Sequence, residues 1–481
     1  MSSANQPVTV RFGRRSRRGL LLGFSTPRVV VIAAAAAMAV AGLMVANALG
    51  LLMSAVVWAP LGATAFVRLG GRPLVEWAPT VTQWWGRRAT GQDHYRAPVH
   101  RTRPAGSLGL GGDGACLRFH IDPVTGAAMV HDPHRRTLTA VLSLSHPAFG
   151  LLDRDDREQR ISRWGRVLAG LAQSGSLAAL QVLEATVPDP GDGLFEWFQS
   201  NGSPGHPWAA EQYAQLLDQA RLGSSTHRTT VSIALDTRAA GRAIKVAGGG
   251  ITGAAEVLRQ DMHGLADALR QAGLTVGDWL GEAELASIVR SAYEPDVVLD
   301  PRHDAGSNLS RSGPLAISEH WDCLRHDSAW SSVLWISEWP RIDVPPDFLH
   351  ALVFVPGVRR TLSLIARPLP TDDALRQIRK EKTEAVADQA QKARIGQIAD
   401  LSDAEEYQDL LNRERSIISG HTDVEFTGFI TVTADTKDSM EAARAAVVRA
   451  AGQSACEARP LFGRQAQGFI LASLPLARAA F

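Results

Sequence analysis

The chain has 481 residues, 50 Lys and Arg against 49 Asp and Glu, and a formal net charge of +1. That balance argues against a nucleic-acid-binding surface over the whole chain, and no sequence-specific nucleic-acid contact is expected. Three dispersed cysteines, Cys116, Cys323 and Cys456, lack metal spacing, argue against a disulfide framework and suit a reducing compartment.

A basic arm comes first, with Arg11, Arg14, Arg15, Arg17, Arg18 and Arg28, and would favour anionic lipid. From Val29 to Val67 there is no Asp, Glu, Lys, Arg or His, a run of 39 residues. One span needs about 20 residues, and a straight helix of this length would reach roughly 58 Å, nearly twice a hydrocarbon core of about 30 Å. "ANALG", Ala46 to Gly50, lies in the middle, and Asn47 and Gly50 are residue types that tolerate a reversal. The pattern therefore predicts a transmembrane helical hairpin over 29–67 with its turn at Asn47 and Gly50. Thirty-nine residues without a polar face disfavour a buried core helix. Arg68, Arg72, Arg87, Arg88 and Arg96 follow the run, so both flanks are basic, which fits a multi-pass plasma-membrane protein with both ends and the soluble domain in the cytoplasm. Trp58, Trp77, Trp84 and Trp85 could mark the interface. "SRRGLL", Ser16 to Leu21, looks like a twin-arginine export signal, but the apolar run is far longer than a signal h-region and the arginines beyond it resist translocation.

Residues 68–114, rich in Arg, Gly and Pro toward their end, read as a juxtamembrane linker. A first α+β unit is expected over 115–222: a strand at Arg136–Ser145, a helix capped by Asp153 and running to Gln173, then a strand at Ala178–Val187. A second unit, 223–370, opens with the strand "TTVSIALDT", Thr229 to Thr237, followed by a helix from Ala254 to Ala272 stopped by Gly273. Residues 371–420 are charge-laced with a narrow apolar stripe and restart at Ser402 with Glu405, which predicts a projecting helical hairpin. The last unit, 421–481, has the strand "GFITVTADT", Gly428 to Thr436, and a helix opened by Asp438 with Glu441. "SIALDTR" and "TVTADTK" hold equivalent places, which suggests two copies of one βαβ-type unit of split ferredoxin-like character. The expected class is α+β: a membrane hairpin, then a cytoplasmic mixed α/β region with ferredoxin-like units and a helical insertion.

Chemistry-bearing motifs are scarce. No P-loop, GxSxG, HExxH or CxxC occurs. "GGGITG", Gly248 to Gly253, fits GxGxxG but is separated from the preceding strand and reads as a joint. "HDPH", His131 to His134, suits a turn better than a metal site. No catalytic, cofactor-binding or metal-binding residue is assigned, no cofactor is expected, and the chain reads as a non-enzyme.

The basic arm, the apolar run, "WWGRRATGQDHYR", "HDPHRRTLTAVLSLS", "VSIALDTRAAGRA", "IVRSAYEPD" and "RPLFGRQAQGFILASLPL" together resemble two-span membrane proteins of actinobacterial conjugation and type IV secretion clusters. The soluble part also resembles the non-motor N-terminal portion of VirB-type secretion ATPases. What the resemblance implies is a membrane component of a type IV secretion or conjugation machine that docks a separate VirB-type ATPase beside a PrgI-like small membrane protein, in an oligomeric assembly. It would place the ATPase interface on the helical arm, with Glu405 and Arg413, and on the "LFGRQ" turn, with Arg464 and Gln465. The alternative is an EccE-like membrane component of a type VII secretion system, which also pairs apolar spans with a cytoplasmic domain.

Overall fold

The computed structural model describes residues 25–69, 72–98, 100, 104–145, 149, 152–188, 197–198, 200–202, 207–221, 225–295, 308–369, 371–394, 401–418 and 423–478. The basic arm before Ser25 lies outside them. The chain divides into two compact units, one holding the apolar run and the charged arm, the other the remainder.

In the first unit the apolar run forms one helix, Thr26–Phe66, of 41 residues. Among the described residues it is the one helix long and apolar enough to cross a membrane, with mean hydropathy 2.6 and little of its apolar stretch buried. Two separate spanning helices were expected and one qualifies, so the two-span hairpin and the multi-pass placement with both ends inside are corrected to one candidate membrane element. Asn47 still breaks it: Ala46 (φ −141°, ψ 31°) and Asn47 (φ 49°, ψ −139°) leave helical geometry. The stretches on either side of the break touch, a Cβ at Gly50 overlapping the carbonyl of Gly42 and one at Gly62 lying 3.7 Å from Ala35 Cβ. Strands β1 (Arg68–Leu69) and β2 (Arg72–Pro73) then pair and lead into the helix Leu74–Ala89, inside the stretch expected to be linker. Glu76 in its first turn and Arg87 and Arg88 in its last complement the helix dipole, and Glu76 accepts from Ser25 Oγ at 2.7 Å. The arm consists of the helices Thr371–Arg394 and Leu401–Ile418. Lys382 meets Glu414 at 2.8 Å and Arg413 meets Glu381 at 3.6 Å, while Ala374, Ile378, Ala385, Leu410 and Ile417 are buried.

The second unit is built on one sheet of 13 strands, every pairing of which among the described residues is antiparallel. Chain order gives β3 (His94–Arg96), β4 (Arg118–Ile121), β5 (Ala128–Asp132), β6 (Thr137–Ser145), β7 (Leu177–Pro188), β8 (Ser225–Asp236) and β9 (Thr275–Trp279). There follow β10 (Ala316–Glu319), β11 (Leu324–His326), β12 (Ala329–Glu338), β13 (Arg359–Pro368), β14 (Val424–Ala434) and β15 (Glu457–Pro460). The spatial order is β3-β10-β11-β12-β14-β13-β7-β8-β6-β5-β4, with β15 beside β12 and β9 beside β6.

This order contains the same pattern twice. In one half β9-β6-β8-β7 and in the other β15-β12-β14-β13 run fourth-first-third-second, the ferredoxin-like arrangement. Each first strand is entered from a short meander, β4-β5 or β10-β11, and each second and third strand is separated by a helical insertion, Pro207–Arg221 or the arm. Registers agree as well. Val141 pairs with Ser232 and Val333 with Thr431, while Leu280 N donates to Val141 O at 2.8 Å and Leu461 N to Val333 O at 2.9 Å. The halves join edge to edge through β7 and β13, where Gln181 lies opposite Ile365 and Ala185 opposite Thr361, equidistant from a pseudo-two-fold axis. "SIALDT" and "TVTADT" are thus the third strand of each half, not the first.

Alternation sorts each strand between two faces. Leu138, Ala140, Leu142, Ile233 and Leu235 pack under the helices Arg154–Gln173 and Gly250–Gln271, whose Leu258, Met262, Leu265 and Leu269 form one stripe. Each such leucine contributes about 1.5–3 kcal/mol by burial. Leu334, Ile336, Ile430 and Val432 do the same under the helix Lys437–Gln453. That helix is capped by Thr436, whose hydroxyl accepts from Ser439 N, rather than by the expected Asp438. The opposite face carries the helices Glu282–Tyr293 and Gln465–Ser473, packed around Tyr293, Phe429 and Phe469.

Candidate functional site

On that opposite face the strands carry polar side chains where apolar ones would ordinarily stand. Thr139, Gln181, Ser232, Ser331, Ser363 and Thr431 are all 2% exposed or less. Burial of such groups costs free energy unless every one is hydrogen-bonded. Ser363 and Thr431 bond to Leu471 and Ser473 in the helix Gln465–Ser473, Ser331 bonds to His326, and Thr139, Gln181 and Ser232 reach the C-terminal stretch after that helix. Gln181 Nε2 donates to Ser363 Oγ at 2.8 Å and to the carbonyls of Leu471 and Leu474 at 3.1 Å, and Gln181 Oε1 accepts from Ala477 N at 2.6 Å. Ser232 donates to Pro475 O at 2.8 Å and Thr139 to Leu476 O at 3.2 Å. Arg478 closes the row, its Nε on Asp132 Oδ2 at 2.9 Å with Asp113 at 3.2 Å. A strand pattern is readable in the sequence of "ALQVLE", but a polar residue on the buried face gives no local signal of a tail elsewhere in the chain.

Where the two halves meet, the same face opens into a narrow cleft whose enclosed part is about 20 Å³. Arg228, Ser291, Arg359, Thr361 and Thr433 line it, over a floor of Leu183 and Ala185. Arg228 Nη2 donates to Ser291 Oγ at 3.2 Å, and Arg359 Nη2 and Nη1 donate to the carbonyls of Ser291 and Pro295, at 3.1 and 2.5 Å, at the end of the helix Glu282–Tyr293. Burial and the charge of Arg359 pull the Arg228 guanidinium down to about 10. Arg228 was not singled out from the sequence; the one signal was a cation inside an otherwise strand-like run, "HRTTVSIALD".

The residues expected at an interface are scattered. Gln465 is fully buried, its Oε1 accepting from Val333 N at 2.8 Å and its Nε2 donating to Leu461 O at 2.9 Å, so it fixes the edge of β12. Arg464 precedes the helix start beside it. Glu405 is exposed on the arm and Arg413 is paired with Glu381 there. Asn47 and Gly50 stand at the break described above. "HDPH" is a turn, Asp132 Oδ1 accepting from the backbone of His134 and Arg135, and "GGGITG" is a joint between two helices with Gly248, Gly249 and Gly250 at positive φ. Among the described residues no group of His, Cys, Asp and Glu could hold a metal ion, and the three cysteines are free, with burial pushing the Cys323 and Cys456 thiols up to about 11.

Residues 224–336 match the EccE family. Its description is "Putative type VII ESX secretion system translocon, EccE". The match covers under a quarter of the chain and runs from β8 through the helices Gly250–Gln271 and Glu282–Tyr293 to β12, crossing from one half of the sheet into the other. No curated protein matches the chain. The family match overturns the resemblance to type IV secretion and conjugation components and, with it, the VirB-type ATPase and the PrgI-like protein as partners.

Proposed function

We propose that this protein is a membrane-associated, non-catalytic component of a type VII secretion assembly. The observation that carries the reading is the EccE match over residues 224–336, which runs from β8 of one sheet half into β12 of the other. Its support comes from the exposed apolar helix Thr26–Phe66, suited to a lipid surface, and from polar groups on the inner sheet face that are spent on hydrogen bonds to the chain itself. A scaffold uses such a sheet to present surfaces; a catalyst needs convergent titratable groups in a pocket. The partners are then other subunits of the same translocon. Removing the chain from its native cell should abolish export of that cell's type VII substrates, and the full chain supplied in trans should restore it. Undiminished export without the chain would refute the proposal.

A further inference from the structure

The cleft at the junction has a counterpart under the pseudo-two-fold axis. Strand registers make Arg359 equivalent to Ala179, Thr361 to Gln181, Thr433 to Ala234 and Ala185 to Ile365. In the counterpart, Ala179, Ala234 and Ile365 pack against Leu474, Leu476 and Ala477, and Gln181 holds the main chain of that stretch. That groove is therefore filled by an extended, apolar peptide. At the open cleft the two small alanines are replaced by a cation and a hydroxyl, and a second cation, Arg228, stands across the opening. The shape is that of a peptide groove and the charge is that of an anion site.

We propose that the cleft docks an extended segment of a partner protein bearing carboxylate side chains. Arg228, with Arg359 beside it, takes a carboxylate, while Thr361 offers its hydroxyl to the segment's main chain. Burial first, and then the charge of Arg359, depresses the affinity of Arg228 for its proton. A carboxylate guest supplies the Arg228 guanidinium with a counter-charge; an apolar guest of the Leu474–Ala477 kind does not. This inference is independent of the secretion reading, since it concerns the chemistry of the guest and not the machine it belongs to.

The test is fluorescence anisotropy of labelled octaglutamate, with octaglutamine as the uncharged control, against the full chain in lipid nanodiscs. Saturable binding of octaglutamate is expected, at least about tenfold tighter than octaglutamine. Arg228→Gln should weaken it about tenfold or more, and Arg228→Lys should retain most of it. Ala185→Trp fills the floor without altering charge and should also abolish binding, with circular dichroism confirming that each variant folds. Absence of saturable binding to the wild-type chain, or equal binding by Arg228→Gln, overturns the proposal. Full competition by inorganic phosphate at the affinity of the peptide would assign the cleft to a small anion and likewise overturn it.

Discussion

His326 offers the sharpest prediction about what holds the inner face together. It is fully buried between Tyr293 and Phe469, with ring centroids at 5.8 and 4.8 Å. Nδ1 lies 2.6 Å from Tyr293 O and Nε2 2.8 Å from Ser331 Oγ, which in turn is 2.8 Å from Thr433 Oγ1. A carbonyl can only accept, so Nδ1 carries the hydrogen and Nε2 accepts from Ser331. The neutral ring satisfies the whole chain of bonds; a second proton on Nε2 would face a donor. Burial pulls the imidazole down to about 4, against the Tyr293 hydrogen bond, which raises it. Because the folded value lies below the unfolded value of about 6.5, the unfolded chain binds more protons in between, and stability rises with pH through that window. The contribution is complete above about pH 6.5 and about 3 kcal/mol of it is lost as pH falls to about 4. Urea denaturation across that range should show the loss in the wild type. His326→Gln keeps a polar side chain without the titration, so its pH slope should be shallower by the same amount. Parallel slopes for the two proteins would refute the reasoning.

Gln181→Leu strands the buried Ala477 N–H and leaves the Leu471 and Leu474 carbonyls with one hydrogen bond each, from Ser363 and from Leu476 N, and should cost about 1–3 kcal/mol while speeding tryptic cleavage after Arg478; a loss under about 0.5 kcal/mol would contradict the seam. Gly50→Val forces a side chain onto the Gly42 carbonyl and should lower the melting temperature of the chain in detergent, whereas Gly86→Ala, inside a helix with open space around it, should leave it equal or slightly raised. On the arm, a double-mutant cycle of Lys382→Ala and Glu414→Ala should give a coupling of about 0.3–1 kcal/mol that shrinks in high salt, since both groups remain partly exposed.

Local structure was legible where one periodicity ruled. The alternation of "RTLTAVLSLS" marks β6, the helix expected from Ala254 to Ala272 and stopped by Gly273 lies within Gly250–Gln271 but for its last residue, and the charge-laced stretch after Thr371 is helical. The pairing of "SIALDT" with "TVTADT" pointed at a duplication, yet their place as third strands depended on β6 and β12, which the sequence does not link to them. Asn47 and Gly50 in the apolar run suggest two spans; the break is there, but one helix meets the length and hydropathy requirement. Leu108 and Leu110 sit in the core although Gly, Pro and Arg around them read as linker, because composition reports on backbone freedom and not on what a neighbouring sheet can cover. Gln465 looked like a surface turn because its partners, the backbone of Val333 and Leu461, come together only in the tertiary fold. The cleft was invisible for the same reason: Arg228 and Arg359 are far apart in sequence and meet at the β7–β13 junction.

The place proposed for this chain is among type VII translocon subunits. Crosslinking in native membranes, followed by purification of the chain and mass spectrometry of what accompanies it, tests that most directly. The account predicts recovery of other type VII secretion subunits, with crosslinks reaching residues 224–336. Recovery of no secretion subunit, or of components of a different secretion machine, would contradict it.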